Sequence, residues 1–276
     1  MAGKVRKALK AIRAIQISFF VLFVFGSLFG WHIHTVYRMA AASSPFGEPL
    51  FEREVLETYG QRINAELNAK NVDLAIISRA GQKRSQLPEG VDFTHSAFWI
   101  RQADGTYAVY NLYHGEENRL VSTLVKDEPA DFLRLTRERD VGIIIPTQEA
   151  QLRLIDYITS PRYGEVHQVN YSLISNPFDT RFQNCNEFML DSMAAMFWDT
   201  PNSTLIKQKY QGVLQPKTLE ASFIRRHIGP IVDERLIMSD HEQKIMTTTR
   251  QTLAQFLRSQ NALETAYILE LGQENE

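Results

Sequence analysis

The sequence predicts an α+β fold that follows one transmembrane helix. Three observations lead to this prediction. Residues 14–31 form an uncharged run behind a basic segment, two strand-like runs surround an Asp-Gly pair within residues 93–114, and the only cysteine, Cys185, stands at a predicted helix start. An antiparallel hairpin with separate helices is typical of the α+β class.

The composition is that of a globular protein and limits its partners. Hydrophobic residues make up 44% of the chain, charged residues 22%, and the formal net charge is -2. We find no low-complexity tract and no internal repeat. Because the charge balance is nearly neutral, we expect no nucleic-acid partner.

The N-terminal segment predicts a membrane anchor. Residues 1–13 contain five lysines and arginines, and residues 14–31 carry no charged side chain. Such a run approaches the ~20 residues that a bilayer core requires. By the positive-inside rule, residues 1–13 stay in the cytoplasm. We therefore expect residues 14–37 to be an uncleaved, single-pass signal anchor.

Two other interpretations of this segment remain open. Ala40-Ala41-Ala42 resembles a signal-peptide cleavage site, although it lies well beyond the apolar run. Alternatively, the run is a buried helix of a protein that is not exported, which the basic flank disfavours. The small and turn-forming residues of segment 38–49 indicate a linker, and we expect residues 50–276 to form one exported domain.

The first half of this domain predicts a helix followed by strands. Apolar spacing indicates a helix over residues 51–69 and a strand over Val72–Ser78. Phe93–Ile100 and Tyr107–His114 predict a hairpin, because Asp104-Gly105 between them is a strong turn signal.

Two registers of the hairpin are possible. A two-residue loop places His95 opposite His114, whereas a three-residue loop places Tyr113 and Asn111 on the face of His95. The polar residue that could orient His95 is therefore either Asn111 or His114.

In the second half of the predicted domain, the apolar spacing indicates mostly helices around the cysteine. We expect strands over 141–146 and 169–174, and helices over 129–135, 147–159, 204–210, 218–226, 249–258 and 263–271.

Cys185 begins a further predicted helix. Asn184 is a good N-cap, and Glu187 lies in the first turn, where a carboxylate is favourable. Unpaired N–H groups and the helix dipole stabilise a thiolate, so this position predicts a lowered pKa for Cys185. A lone cysteine is also often a small buried core residue.

Histidine and amide residues elsewhere favour chemistry at this cysteine. A thiol hydrolase needs a nucleophile, an imidazole base and a group that fixes the imidazole tautomer. Cys185, His95 and either Asn111 or His114 provide these residue types.

No phosphate-binding loop, Cys-x-x-Cys pair or His/Glu pair at helical spacing is present. His32 and His34 have the spacing of a metal-binding pair, but their place beside the apolar run favours interfacial residues. We therefore expect neither a cofactor nor a metal.

Four segments carry a resemblance to a known family: Ile76–Gly81, Phe93–Ala97, Tyr110–Tyr113 and Phe182–Glu187. They resemble domain of unknown function 2145, an uncharacterised family of exported bacterial proteins. That family is similar to the circularly permuted NlpC-like branch of the papain fold, in which the histidine strand precedes the cysteine helix. The resemblance implies a permuted papain-like domain with an antiparallel sheet packed on the cysteine helix.

The resemblance also implies roles for the site residues. Cys185 would be the nucleophile, His95 the general base, and Asn111 the third polar residue. The oxyanion donor would be the backbone N–H of Cys185, with Gln183 and Asn184 as possible contributors.

Two functions follow as expectations. The first is a thiol hydrolase or acyltransferase in the bacterial inner membrane, with its domain in the periplasm. It would act on an amide or ester, and cell-wall peptide is the guess that compartment and fold analogy suggest. The second is an inactive envelope binding module on the same scaffold. The expected partners are the inner membrane, through residues 14–37, and an unidentified envelope substrate or protein.

Overall fold

The computed structural model describes residues 47–220 and 233–272. The predicted cytoplasmic segment 1–13, the signal anchor 14–37 and most of the linker lie outside these residues. Within the described ranges, no helix is long and apolar enough to cross a membrane.

The described part contains six α-helices and eight β-strands, together with 3₁₀ turns at Arg84–Gln86 and Pro161–Gly164. The helices are α1 (Arg53–Ala69), α2 (Pro129–Leu133), α3 (Gln148–Ile158), α4 (Cys185–Trp198), α5 (Ser203–Tyr210) and α6 (Arg250–Ser259). The strands are β1 (Leu74–Arg79), β2 (His95–Arg101), β3 (Tyr107–His114), β4 (Ser122–Asp127), β5 (Asp140–Pro146), β6 (Lys217–Leu219), β7 (Ile245–Thr247) and β8 (Leu263–Glu270).

Six of these strands form one sheet in the order β4-β3-β2-β1-β5-β8. Every neighbouring pair is antiparallel. Strands β6 and β7 form a separate antiparallel pair. The predicted α+β class with an antiparallel sheet is therefore confirmed.

The sheet lies between two layers of helices. Successive strand residues point to opposite faces, so Phe98 packs with α3, α4, α5 and α6, whereas Trp99 packs with α1 and α2. Both faces bury apolar residues, which gives the domain two hydrophobic cores separated by the sheet. The cysteine helix α4 lies in the first of these cores.

The hairpin adopts the register of the three-residue loop. Phe98 pairs with Tyr110, and the Gln102 backbone N–H donates to the Thr106 carbonyl at 2.8 Å. Gly105 has a φ of 83°, a left-handed conformation that glycine adopts without strain. This register places Tyr113 and Asn111 on the face of His95, as one of the two alternatives predicted.

Three element predictions are wrong. Residues 263–270 form strand β8 rather than a helix, and their burial alternates along the strand because β8 pairs with β5 at the edge of the sheet. Lys217–Leu219 forms strand β6 instead of the expected helical start, because it pairs with β7. The remainder of that predicted helix lies mostly outside the described residues.

The third error is the strand over residues 169–174. Only isolated bridges join this segment to Val121 and Gln183. Its backbone bonds go to separate parts of the chain, since the Tyr171 N–H donates to the Leu120 carbonyl and the Leu173 N–H to the Arg235 carbonyl. The segment therefore connects loops instead of extending a sheet.

Candidate functional site

Helix α4 begins at the predicted cysteine. The Asn184 side chain accepts a hydrogen bond from the Glu187 backbone N–H at 3.0 Å, which satisfies one of the free N–H groups of the first turn. Helix α4 is buried from Cys185 to Met196, because the sheet and the neighbouring helices surround it. The N-cap prediction is confirmed.

The Cys185 thiol lies against strand β2. Its Sγ is 3.9 Å from the Thr94 carbonyl oxygen, to which the thiol donates, and the backbone N–H groups of Ser96 and Asn186 lie near enough to favour the thiolate. Burial outweighs these contacts and raises the pKa of Cys185 to about 11. The predicted lowering is wrong, because the loss of hydration disfavours the thiolate more than the helix N-terminus favours it.

The His95 imidazole is held by a short chain of polar side chains. His95 Nε2 lies 3.2 Å from Asn111 Oδ1, and Asn111 Nδ2 donates to Asp127 Oδ2 at 3.1 Å. Since the amide group donates to a carboxylate, its oxygen accepts from His95 Nε2–H. His95 Nδ1 is then unprotonated, and no residue in the described part of the chain is its hydrogen-bond partner.

Aromatic rings and burial keep this imidazole neutral. The His95 ring stacks on Tyr113 at a centroid distance of 5.0 Å and contacts Phe132 at 5.5 Å. Burial, together with the nearby Arg79 guanidinium, lowers the pKa of His95 well below its ordinary value. An unprotonated Nδ1 is the form that a general base requires.

His114 belongs to a different group of side chains. Its Nε2 accepts from Arg235 Nη1 at 2.6 Å, and its Nδ1 donates to the Gly115 carbonyl at 2.8 Å. Burial and Arg235 lower the pKa of His114 to about 4. Of the two candidate orienting residues, Asn111 is therefore the one that contacts the His95 ring.

The thiol and the imidazole are not paired with each other. Among the described residues, no hydrogen bond joins Cys185 Sγ to the His95 ring. The thiol contacts the backbone on both sides of His95 from the α4 face, whereas Phe132, which contacts the ring, belongs to the core beneath α1 and α2. The structure brings Cys185 to the histidine strand without a direct sulfur–nitrogen bond.

The Gln183 and Asn184 side chains form hydrogen bonds with nearby backbone groups. Gln183 Nε2 donates to the Val166 carbonyl at 3.1 Å and to Asp191 Oδ2 at 2.7 Å, so neither N–H is left for the expected oxyanion role. Asn184 caps the helix, and its Nδ2 contacts the Leu173 carbonyl at 3.3 Å. Both residues position the turn that leads into Cys185.

A cleft opens beside the thiol. It encloses about 580 Å³, including space open to solvent. Its walls come from the loop before β2, from the segment at residues 171–174, from the start of α4, and from the β6 and β7 strands.

No group of three or more histidine, cysteine or acidic side chains in the described ranges could hold a metal ion.

A comparison with protein families finds a match over most of this chain. The DUF2145 family, described as "Uncharacterized protein conserved in bacteria", matches residues 66–257, well over half of the sequence. The chain belongs to the DUF2145 family. The matched region contains Cys185, His95 and Asn111. Comparisons with curated proteins and with solved structures find no match.

The DUF2145 domain also contains two polar residues that the sequence did not reveal. Arg79 at the end of β1 and Asp127 at the end of β4 interact near His95 and Tyr113. Tyr113 itself lies on the face of His95, as the three-residue loop predicted. The positions of Arg79 and Asp127 depend on the strand order, which sequence spacing does not specify.

A second buried group stabilises the cysteine helix of the DUF2145 domain from α5. Lys207 Nζ lies 2.6 Å from Glu187 Oε1 and 2.8 Å from Asp191 Oδ2, and Tyr210 donates to Asp191 Oδ1 at 2.9 Å. Two carboxylates thus share one buried ammonium group. Burial raises the pKa of Glu187 to about 8, and the two carboxylates hold the pKa of Lys207 above its ordinary value.

Proposed function

We propose that this DUF2145 protein is a thiol hydrolase or acyltransferase that acts on an amide or an ester. Cys185 is the nucleophile, His95 is the general base, and Asn111 positions the imidazole. One observation carries the proposal. The hydrogen bonds from Asp127 through Asn111 to His95 specify a neutral tautomer whose Nδ1 is unprotonated and unpartnered, within the strand that contacts the thiol.

In the proposed reaction, the resting pair is a neutral thiol and a neutral imidazole. When a substrate binds, the sulfur attacks the carbonyl carbon as the thiol proton moves to His95 Nδ1. The amine or alcohol then leaves with that proton, and a thioester remains on Cys185. Water or an acceptor nucleophile next cleaves the thioester. The step requires the His95 ring, which packs with Phe132 on the α2 face of the sheet, to reorient toward the thiol on the α4 face when a substrate binds.

Developing charge on the carbonyl oxygen needs hydrogen-bond donors. The Cys185 backbone N–H at the start of α4 is the donor that this mechanism uses. It already lies close to the sulfur. Oxyanion donors of this kind typically contribute about 10²- to 10³-fold in kcat.

We further propose that the domain is a permuted papain-like fold. The histidine strand β2 precedes the cysteine helix α4 in the chain, and α4 packs against β2 and β3 of an antiparallel sheet. Those are the features that the permuted NlpC-like arrangement would have. An experimental structure that superposes poorly on papain-like hydrolases around β2, β3 and α4 would contradict this assignment.

For localisation, we propose an inner-membrane protein whose domain faces the periplasm. The basic residues 1–13 and the uncharged residues 14–31 support the proposal. Alkaline phosphatase fused after Ser44 is expected to be active in cells, because it folds only after export. Activity of a cytoplasmic reporter fused at the same place, without phosphatase activity, would contradict the proposal.

The buried thiol supports a second candidate function, an inactive binding module. Cys185 is 2% exposed, its pKa is raised, and it has no bond to an imidazole. Such a module would use the cleft for recognition only.

Acylation of Cys185 distinguishes the two functions. The folded chain is treated with activated ester probes, and intact mass reports any acyl adduct. We expect an adduct that Cys185→Ala abolishes and that His95→Gln slows by about 10²-fold or more. His167→Gln is the matched control, since His167 contacts Ser122 elsewhere. A wild-type chain that forms no adduct would favour the binding module.

A further inference from the structure

The lining of the cleft beside Cys185 restricts the substrate. Among the described residues that form it, none carries a charged side chain. A ligand carboxylate or ammonium group would lose hydration there without gaining an opposite charge, which is unfavourable. This inference rests on the proposed function, and it concerns which substrate the same site accepts.

Apolar side chains dominate the walls. Leu87, Val91 and Phe93 come from the segment before β2, while Leu173 and Ile174 face them from the segment before α4. Ligand pockets with such a lining bind through burial of apolar surface, with a few polar groups setting orientation. The cleft therefore favours a substrate with an apolar group next to its reactive carbonyl.

Two polar side chains in the lining have an unsatisfied oxygen. Asn186 Nδ2 donates to the Thr248 carbonyl at 3.3 Å, so its Oδ1 is oriented as an acceptor, yet within residues 47–220 and 233–272 Oδ1 has no hydrogen-bond partner. Thr248 Oγ1 also has none. Both residues line the cleft and are more than nine-tenths buried, at 6% and 2% exposure. Unsatisfied buried polar groups are costly, so a ligand that satisfies them gains affinity.

The two oxygens complement an amide. Asn186 Oδ1 can accept a ligand N–H, and the Thr248 hydroxyl can donate to a ligand carbonyl. An ester offers the carbonyl but lacks the N–H. We infer that the Cys185 cleft is a binding site for an uncharged amide that carries an apolar acyl group, and that esters and charged amides bind there more weakly.

Binding to the full-length Cys185→Ala chain tests this inference without turnover. Three probes of similar shape are compared by ligand-observed NMR: N-methylhexanamide, methyl hexanoate, and the monomethylamide of adipic acid, which ends in a carboxylate. We expect the neutral amide to bind about 3- to 10-fold more tightly than the ester, the effect of one hydrogen bond. We expect the carboxylate probe to bind more weakly than either.

Two variants in the Cys185→Ala background assign the contacts. Asn186→Leu is expected to bring the ratio of amide to ester affinity close to one. Thr248→Val is expected to weaken both neutral probes about 3-fold or more and to leave their ratio unchanged. Thr123→Val, on the exposed face of β4, is the matched control and should change neither value. If Asn186→Leu does not fold, Thr248→Val alone still tests the site.

Equal affinity for amide and ester, or a carboxylate probe that binds as tightly as the neutral amide, would overturn the inference. If Thr248→Val leaves the affinities of both neutral probes unchanged, the probes do not bind in the cleft as inferred. The proposed function fails separately, if the wild-type chain forms no acyl adduct while the amide preference is observed. An adduct without any amide preference would leave the proposed function standing and refute this inference.

Discussion

Asn111 Oδ1 lies 3.2 Å from His95 Nε2, and this contact specifies the chemistry of the imidazole. Because Asp127 accepts the Asn111 amide hydrogen, the oxygen must face the ring, and His95 has its proton on Nε2. Nδ1 is buried and free of partners among the described residues, and the carbonyl of the preceding residue, Thr94, contacts Cys185. Asp127 therefore decides, through Asn111, which nitrogen of His95 can act as a base.

Replacement of Asp127 tests this relationship. In Asp127→Asn, residue 127 can donate as well as accept, so Asn111 is no longer forced into one orientation. We expect a mixture of His95 tautomers in ¹⁵N NMR, and a decrease of about 10-fold or more in kcat with little change in KM. Asp131→Asn, at an exposed position in α2, is the control and should retain the Nε2–H tautomer. An unchanged His95 spectrum in Asp127→Asn would contradict the role of Asp127.

Cys185 should react slowly at neutral pH. Its pKa is raised to about 11 by burial, so the thiolate fraction is small at pH 7. We expect the rate of alkylation by iodoacetamide to rise with pH up to a midpoint near 11, whereas the urea-unfolded chain should show a midpoint near ~8.5. A folded-state rate that reaches its plateau below pH 8 would show that the thiol is more hydrated than its burial indicates.

The raised pKa of Cys185 also makes the free energy of unfolding depend on pH. The folded pKa of Cys185 lies above the unfolded one, so the folded state retains the proton while the unfolded state loses it. The contribution of the protonated thiol to stability is therefore complete below about pH 8 and is lost as pH rises toward about 11. We expect the free energy of unfolding of the wild-type chain to fall more steeply than that of Cys185→Ala in this range, by about 3 kcal/mol. Parallel curves from urea denaturation would contradict this.

Lys207 is expected to be essential for the stability of α4. In Lys207→Met, Glu187 and Asp191 remain buried without their cation, which should cost about 3–5 kcal/mol in urea denaturation at pH 7. Lys209→Met, which removes an exposed cation two residues away, should cost far less. Adding Asp191→Asn to Lys207→Met should restore part of the loss, because it removes the charge of the carboxylate that Lys207 contacts at 2.8 Å. Equal stabilities of the two single variants would refute the buried ion pair.

Gly142 provides a steric test of the packing under the cleft. A Cβ atom at this position of β5 would overlap the Arg250 side chain and come within 2.9 Å of Phe93. Arg250 is buried and donates to the Ile143 carbonyl at 2.9 Å, so it has little room to move. We expect Gly142→Ala to lower the free energy of unfolding by about 1–3 kcal/mol. Gly164→Ala, with no atom within 4 Å of the new Cβ, should change it little.

Local signals predicted most elements because their causes are local. The N-cap Asn184 starts α4, and the Asp104-Gly105 turn forms the β2–β3 hairpin, as expected. The failure at residues 263–271 has the opposite cause. Glutamate, leucine and alanine at near-helical spacing favour a helix, but pairing with β5 decides the strand. That pairing involves residues more than a hundred positions apart, which no local pattern contains.

The sequence by itself determined the residue types of the candidate site, the order of histidine strand and cysteine helix, and the family. Tertiary structure alone decided that Asn111 rather than His114 contacts His95, and that Gln183 binds Asp191. It also reversed the expected pKa shift of Cys185. The physical reason is burial: a helix N-terminus acts on the residue beside it, whereas loss of hydration depends on every element packed around the thiol.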